Sequence, residues 1–256
     1  MYAAERHQVL VRRARELGRL EVTQVAAELG VTTETIRRDL TTLERQGLLH
    51  RVHGGAIATD RLEIEPAVGV RDVTHSEEKD RIAKAAVAEL GSATTILLDA
   101  GTTTARVASL LPDDVELTVV TNALPIATAL ASRARITVHL VGGRVRGTTM
   151  SAVDRWAMKT LESVNCDVAV LGTNGFSVER GLTTPDVAES AVKGAMVRAA
   201  ARRIVVADSS KYGVDSFSRF AALADVDTLV TDGDLLETHP EAADALRGAG
   251  PELVIA

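Results

Sequence analysis

Apolar residues recur at helical spacing through the first part of the chain and then change period. Val9, Leu10, Ala14 and Leu17 share one side of a segment from about Ala4 to Leu17, which predicts a first helix ended by Gly18. The run from Thr23 to Leu29 predicts a second, with Thr23 as its N-cap and Gly30 taking the left-handed exit conformation. A third helix starts after Val31, where Thr32 is the expected N-cap and Glu34 suits the positive end of the helix dipole. Ile36, Leu40 and Leu43 fall at i, i+4 and i+7 on it, which makes one buried stripe. From Leu48 to Gly55 apolar and basic residues alternate and run into two glycines, the pattern of a β-hairpin.

Periodicity is lost from about Ile57 to Glu78, where Pro66, Gly69 and mixed charges read as a connector. Beyond it, β-branched runs alternate with helical stretches. The expected strands are Thr95–Asp99, Leu117–Thr121, Ile136–Val141, Val168–Leu171, Ile204–Ala207, Thr228–Thr231 and Leu253–Ile255. The expected helices are Lys79–Leu90, Thr103–Leu111, Leu124–Ser132 and Val187–Ala201. Such alternation implies an α/β domain with a mostly parallel sheet covered on both faces. The expected organisation is a helix-turn-helix domain with a hairpin wing over 1–57, a linker over 58–77 and a larger α/β domain over 78–256.

The exposed side of the third helix brings in chemistry. At about 100° per residue, Glu34, Arg38 and Thr41 project opposite the buried stripe, flanked by Thr35 and Arg37. Arginine bonds bidentately to guanine, and threonine reaches phosphate or a thymine methyl, so this face suits a major groove. Thr32 and Thr33 at the helix start belong to the same surface. Arg51 and His53 on the hairpin are placed to reach phosphates or the neighbouring minor groove. Spacing alone leaves open a three-helix bundle with a solvated charged face. Charge does not decide: the net is −6, and the first 60 residues hold nine arginines against eight acidic residues.

In a parallel sheet, ligands bind beyond the carboxyl ends of the strands. Asp99-Ala-Gly101-Thr102-Thr103-Thr104 follows the first strand with a glycine and three hydroxyls at a helix start, where free N–H groups favour a phosphate or other anion. Thr121 and Asn122 follow a second strand, and Gly142, Gly143 and Arg144 a third. Gly172, Thr173, Asn174 and Gly175 follow a fourth, and Asp208-Ser-Ser-Lys211 a fifth. Singly each is a turn; together they put small, hydroxyl and cationic groups where one pocket would lie.

Thr35-Ile-Arg-Arg-Asp-Leu40, Leu43-Glu44, Gly47 and Arg51-Val-His-Gly-Gly-Ala56 resemble the N-terminal signature of the DeoR family of bacterial regulators, and about residues 76–235 resemble its C-terminal sensor domain. Members of that family look like relatives of sugar-phosphate isomerases such as ribose-5-phosphate isomerase, with the domain used for sensing. CoA transferases are a further fold likeness. The resemblance implies a winged helix-turn-helix repressor of a carbohydrate uptake or catabolism operon, bound to double-stranded operator DNA and released by a phosphorylated sugar or polyol. By it, Gly101, Thr102, Thr103 and Thr104 hold the ligand phosphate, and Asn122, Arg144, Asn174 and Lys211 line the rest. Asp186, Glu189 and Lys193 match a charged stretch common in the family. Their i, i+3 and i, i+4 spacing fits a helix-surface ion-pair chain as well as a ligand role. Many members have a glycine near Ser151-Ala-Val-Asp154, where this chain has Asp154, which bears on the loop after Arg144. Two-fold operators need at least two reading heads, so a homo-oligomer, dimer or tetramer, is expected.

Other features narrow the classes. Cys166 has no histidine near it in sequence and reads as an inert buried thiol. His50 and His53 lack a second pair of ligands, so no metal site is expected, and no cofactor. The lone Trp156 and an aromatic content of 2% argue against single-strand and RNA modules, which stack bases on rings. No apolar run approaches the ~18 residues of a membrane span, and a single cysteine fits the cytoplasm. The rival from another class is a sugar-phosphate isomerase-like enzyme fused to a DNA-binding domain; no activated base or nucleophile stands out, so no catalytic residue is expected.

Overall fold

The computed structural model describes residues 3–17, 19–45, 48–52, 54–58 and 68–256. Gly18, Gly47, His53 and Pro66 lie outside the described residues, as does the side chain of His50. The chain divides after Val70 into two compact units.

The first unit runs α1 (Ala3–Leu17), β1 (Arg19–Glu21), α2 (Val22–Leu29), α3 (Thr33–Arg45), β2 (Leu49–Val52) and β3 (Gly55–Ala58). Leu10 and Ala14 of α1, Val25 and Ala26 of α2, and Ile36, Leu40 and Leu43 of α3 close one core with Leu20, Leu49 and Ala56. The hairpin β2–β3 forms as the alternation predicts, and β1 adds a third antiparallel strand in the order β1-β3-β2. Gly55 is required there, because a Cβ on it would sit 1.8 Å from the Leu20 carbonyl oxygen. That strand also displaces an expected cap. Glu21 is paired and extended up to the start of α2, so it, and not Thr23, occupies the N-cap, without a side-chain bond. Gly30 does exit left-handed at φ 64°, donating to the carbonyls of Ala26 and Ala27. Thr32 Oγ1 accepts the Thr35 amide at 3.1 Å.

The second unit begins within α4 (Val68–Val73), a helix inside the stretch expected to be connector, and α5 (Ser76–Ala88) starts before the expected boundary. There follow β4 (Thr95–Leu98), α6 (Thr102–Ser109), β5 (Leu117–Thr121), α7 (Leu124–Leu130), β6 (Ile136–Leu140), β7 (Arg144–Arg146), β8 (Ser151–Val153), α8 (Asp154–Leu161) and β9 (Cys166–Gly172). Then come β10 (Gly175–Ser177), β11 (Gly181–Thr184), α9 (Val187–Arg198), β12 (Ala200–Val206), β13 (Ser218–Ala221), β14 (Thr228–Thr231), α10 (Asp234–Thr238), α11 (Ala242–Gly248) and β15 (Glu252–Ile255). The seven strands expected from the β-branched runs pair into one sheet, order β15-β14-β12-β9-β4-β5-β6, and every neighbour is parallel.

Alternation along each strand feeds two cores. Ile96 and Leu98 of β4, with Val168 and Val170 of β9, pack on Ile82, Ala83 and Ala86 of α5 and Val107 of α6. Leu97, Ala169 and Leu171 face the other way, onto Leu161 of α8 and Val192 and Met196 of α9. Among the described residues no helix is long and apolar enough to cross a membrane.

The start of β4 is stapled to β9 by Asp167. Its Oδ2 accepts the amides of Thr95 and Thr94, each at 2.9 Å, and the Asp167 amide donates to Thr95 Oγ1. Those bonds, the Thr95 amide foremost, pull the carboxyl from 3.8 to about 2. A depressed carboxyl stabilises the fold above its unfolded pKa and ceases to as pH falls through the folded value. We therefore expect Asp167→Asn to melt below the wild type at pH 7 and the difference to vanish between about pH 4 and pH 2, read by thermal melts across that range.

Candidate functional site

Two surfaces gather the residues singled out above, one in each unit. In the first, burying Ile36, Leu40 and Leu43 turns the opposite side of α3 outward. Arg38 keeps 82% and Arg37 56% of its side chain exposed, and Glu34 approaches them only at 3.9 and 3.6 Å. Such solvent-exposed contacts are weak and yield readily to a phosphate. Thr33, Thr35 and Thr41 are half-buried on the same side, and Thr32 is exposed. Arg51 of the wing donates through Nη1 to Thr41 Oγ1 at 3.1 Å and through its amide to Glu44, so wing and helix share one surface.

A residue that spacing did not single out orients this helix. Asp39 is 6% exposed and binds Arg6 of α1 at 2.5 and 3.2 Å and His7 at 2.9 Å. Burial pushes the Asp39 carboxyl up, but the bonds from Arg6 and His7 outweigh it and hold its pKa below the usual carboxylate range. Its place beside Leu40 on the buried side of α3 was the available signal.

In the second unit, the loops after β4, β5 and β9 and the β7–β8 hairpin meet α9. Lys193, 5% exposed, directs its ammonium to Asp99 and, at 2.9 Å, to the Gly172 carbonyl; the Gly172 amide returns a 3.1 Å bond to Asp99 Oδ2. Glu189, also 5% exposed, accepts from Thr149, from Ser151 and Arg146 at 3.3 Å each, and from Thr184 at 3.4 Å. Asp186 caps α9 by accepting the Glu189 amide at 2.9 Å and holds Arg146 at 3.1 Å. The helix-surface reading of Asp186, Glu189 and Lys193 is therefore corrected: the last two are interior and bond away from each other, because α9 is walled by β8 on one side and the β4 and β9 ends on the other.

A small cavity lies among Asp99, Ala100, Asn122, Ser151, Glu189 and Lys193. Of the residues expected to share a pocket, Asp99, Asn122, Glu189 and Lys193 line it. Gly101, Thr102, Thr103 and Thr104 adjoin it as the start of α6, with Gly101 at the N-cap and the three threonines 8%, 8% and 0% exposed. Others do not line it. Thr121 Oγ1 accepts the Ala123 amide inside its turn, and Thr173 Oγ1 donates to Gly175 and Thr183 carbonyls. Gly143 and Gly175 serve close backbone approach, a Cβ on them falling 2.5 Å from Val153 O and 1.9 Å from Val214 O; Gly142 and Asn174 belong to the same turns. Arg144 is 60% exposed and bound to Asp154 at 2.6 Å. Asp154 adopts φ 78°, a left-handed conformation that glycine takes at no cost, and its carboxylate gives Arg144 a partner. Arg146, two residues on, is the arginine that reaches Asp186 and Glu189; strands of three residues carry too little pattern to distinguish the two.

A cationic flank adjoins the α6 start. Lys79 is 5% exposed, donates to the carbonyls of Arg71 at 2.5 Å and Thr74 at 2.6 Å, and is lowered by burial to about 8. Asp208 raises it, while Lys211, Arg106 and Arg71 lower it. Arg106 of α6 donates to Thr102 O, Asp80, Asp72 Oδ1, Asp72 O and Ser76 Oγ, all within 3.1 Å. Among the described residues no cluster of ligating side chains suits a metal ion.

Comparison with known proteins agrees with this two-part layout. A profile described as the DeoR-like helix-turn-helix domain matches residues 6–61, and one described as the DeoR C terminal sensor domain matches residues 74–233. The HTH-type transcriptional regulator GlpR of Haloferax volcanii is 38% identical over 99% of this chain and 98% of its own length. The HTH-type transcriptional repressor GlcR of Bacillus subtilis is 34% identical over 91% and 89%. Among solved structures, ribose 5-phosphate isomerase A from Methanocaldococcus jannaschii aligns with 54% of this chain and 55% of that one, at 16% identity and a TM-score of 0.41.

The exposed arginines give a direct check. Arg38→Ala is expected to weaken binding to specific duplex DNA by about 1–3 kcal/mol while leaving the melting temperature unchanged. Fluorescence anisotropy with a labelled duplex measures it, and unaltered affinity removes Arg38 from the reading surface.

Proposed function

The chain belongs to the DeoR family of transcriptional regulators, and from that premise we propose that it is an operator-binding repressor of carbohydrate genes, released by a phosphorylated sugar or polyol. Thr32, Thr33, Thr35, Arg37, Arg38 and Thr41 read the major groove, and Arg51 holds the backbone beside it. The effector phosphate sits at the start of α6, against Gly101, Thr102, Thr103 and Thr104, with Lys79 and Lys211 supplying positive charge. The remainder of the effector reaches toward Asn122, Glu189 and Lys193. The observation that carries this reading is the convergence of buried Lys193, Asp99, Glu189 and Asn122 on one cavity beside a helix start. The chain acts as a homo-oligomer, since a two-fold operator takes two heads.

Sensing needs the two ends to be coupled, and Arg106 provides a route. It sits on α6, the phosphate-binding helix of this proposal, and clasps Asp72 and Ser76, where the chain enters the second unit. Lys79 grips Arg71 and Thr74 in the same stretch. An anion that draws α6 and Lys79 toward itself changes the hold on that entry segment, which is the differential interaction between two states that allostery requires. Turnover is not part of the proposal, which asks only for binding with different affinity in two states. Measurable isomerisation of ribose 5-phosphate would promote the enzyme reading instead.

Gel-shift titrations with fructose 1-phosphate, fructose 6-phosphate, glycerol 3-phosphate and tagatose phosphates test the sensing half. One of them is expected to weaken operator binding by about 5–150-fold, the range of ordinary coupling energies. Arg106→Ala is expected to shrink that ratio several-fold with operator affinity in the absence of effector retained. No response to any of these phosphates sinks the sensing reading.

A further inference from the structure

We propose that the cavity beyond β4, β5 and β9 takes one hydroxyl group of the effector, which donates its proton to Asn122 Oδ1. The inference rests on the effector reading above and adds one atom to it: ester phosphate and one hydroxyl of the same ligand occupy different subsites, and Asn122 Oδ1 is the acceptor that the hydroxyl meets.

Asn122 is 3% exposed and its amide orientation is fixed. Nδ2 donates to the Ala152 carbonyl at 3.1 Å, and flipping the amide would bring two carbonyl oxygens together. Oδ1 is left buried with no hydrogen-bond partner, and Asn122 is one of the residues that line the cavity. A buried acceptor without a donor costs free energy, so the site is built for something that supplies one. The neighbouring donors are directed elsewhere. Ser151 Oγ bonds Thr149 Oγ1 at 2.8 Å and Glu189, and Lys193 Nζ bonds Asp99 and Gly172 O.

Size and charge choose the group. The cavity measures about 10 Å³, room for one oxygen-sized group and far too little for a phosphate. Two carboxylates, Asp99 and Glu189, line it against one ammonium, Lys193, so the balance disfavours a further anion while a neutral O–H can bond the carboxylates as well as Asn122. The phosphate is thereby left to the α6 start and the Lys79–Lys211 flank. A site that hydrogen-bonds a hydroxyl rejects the analogue lacking it more strongly than an apolar pocket rejects a missing methylene.

Calorimetric titration of the full chain with inorganic phosphate, n-propyl phosphate, glycerol 3-phosphate, fructose 1-phosphate and fructose 6-phosphate tests this. At least one hydroxylated ester is expected to bind the wild type more than about 10-fold tighter than n-propyl phosphate. In Asn122→Leu that advantage is expected to fall below about threefold, with the affinity for inorganic phosphate changed less than about twofold. Equal binding of n-propyl phosphate and every hydroxylated ester overturns the hydroxyl subsite while leaving the anion reading intact. This comparison uses the unmodified protein and so stands even where the variant fails to fold. A full advantage retained in Asn122→Leu overturns the assignment to Asn122. Absence of binding by all five, inorganic phosphate included, overturns the effector reading and the subsite with it.

Discussion

The sensor end of the second unit depends on one buried ammonium. Lys193 has almost no contact with solvent, so its charge must be met by protein, and it is met by Asp99 at the end of β4 and the Gly172 carbonyl at the end of β9. Removing one partner of such a pair leaves an uncompensated buried charge, a loss of about 3–5 kcal/mol. The pair therefore holds α9 across two neighbouring strand ends and fixes where the loop from Asp99 departs toward α6. One helical turn earlier, Glu189 does the equivalent for the β7–β8 hairpin through Thr149, Ser151 and Arg146. The walls of the cavity follow from where α9 places these two opposite charges.

Much of this architecture was legible because the sheet is parallel and doubly covered. Strands buried on both faces appear as apolar β-branched runs, and all seven of those runs became its strands. The β7–β8 hairpin and the β10-β11-β13 sheet, whose strands are three or four residues long, offer no period to read. The same limit hid Arg146, Thr149 and Ser151, whose roles exist only because the hairpin folds over α9. Lys79 was readable in principle. It lies in a run of charges, Glu77-Glu78-Lys79-Asp80, yet it falls on the stripe of Ile82, Ala83 and Ala86, the face that α5 buries. A lysine on such a stripe announces a partner, here the carbonyls of Arg71 and Thr74.

In the first unit the apolar stripe of α3 predicted which residues face out, because burial of three positions on a helix determines the rest. It did not determine how firmly the helix is aimed. That comes from Asp39, which ties α3 to Arg6 and His7 of α1 with charge-assisted bonds. An apolar contact tolerates sliding, whereas these bonds specify rotation about the helix axis. The β1 strand has a similar role for the wing, since it pairs with β3 along Arg19–Glu21 and closes the sheet against the glycine at position 55.

Asp154 carries two opposed liabilities in one residue. Its left-handed backbone costs on the order of 1 kcal/mol that glycine would not incur, and its carboxylate neutralises Arg144. A glycine there would relax the backbone and at the same time leave the Arg144 guanidinium without its carboxylate. The aspartate thus exchanges backbone ease for a pinned side chain, and the positive charge that the turn presents is cancelled where it arises.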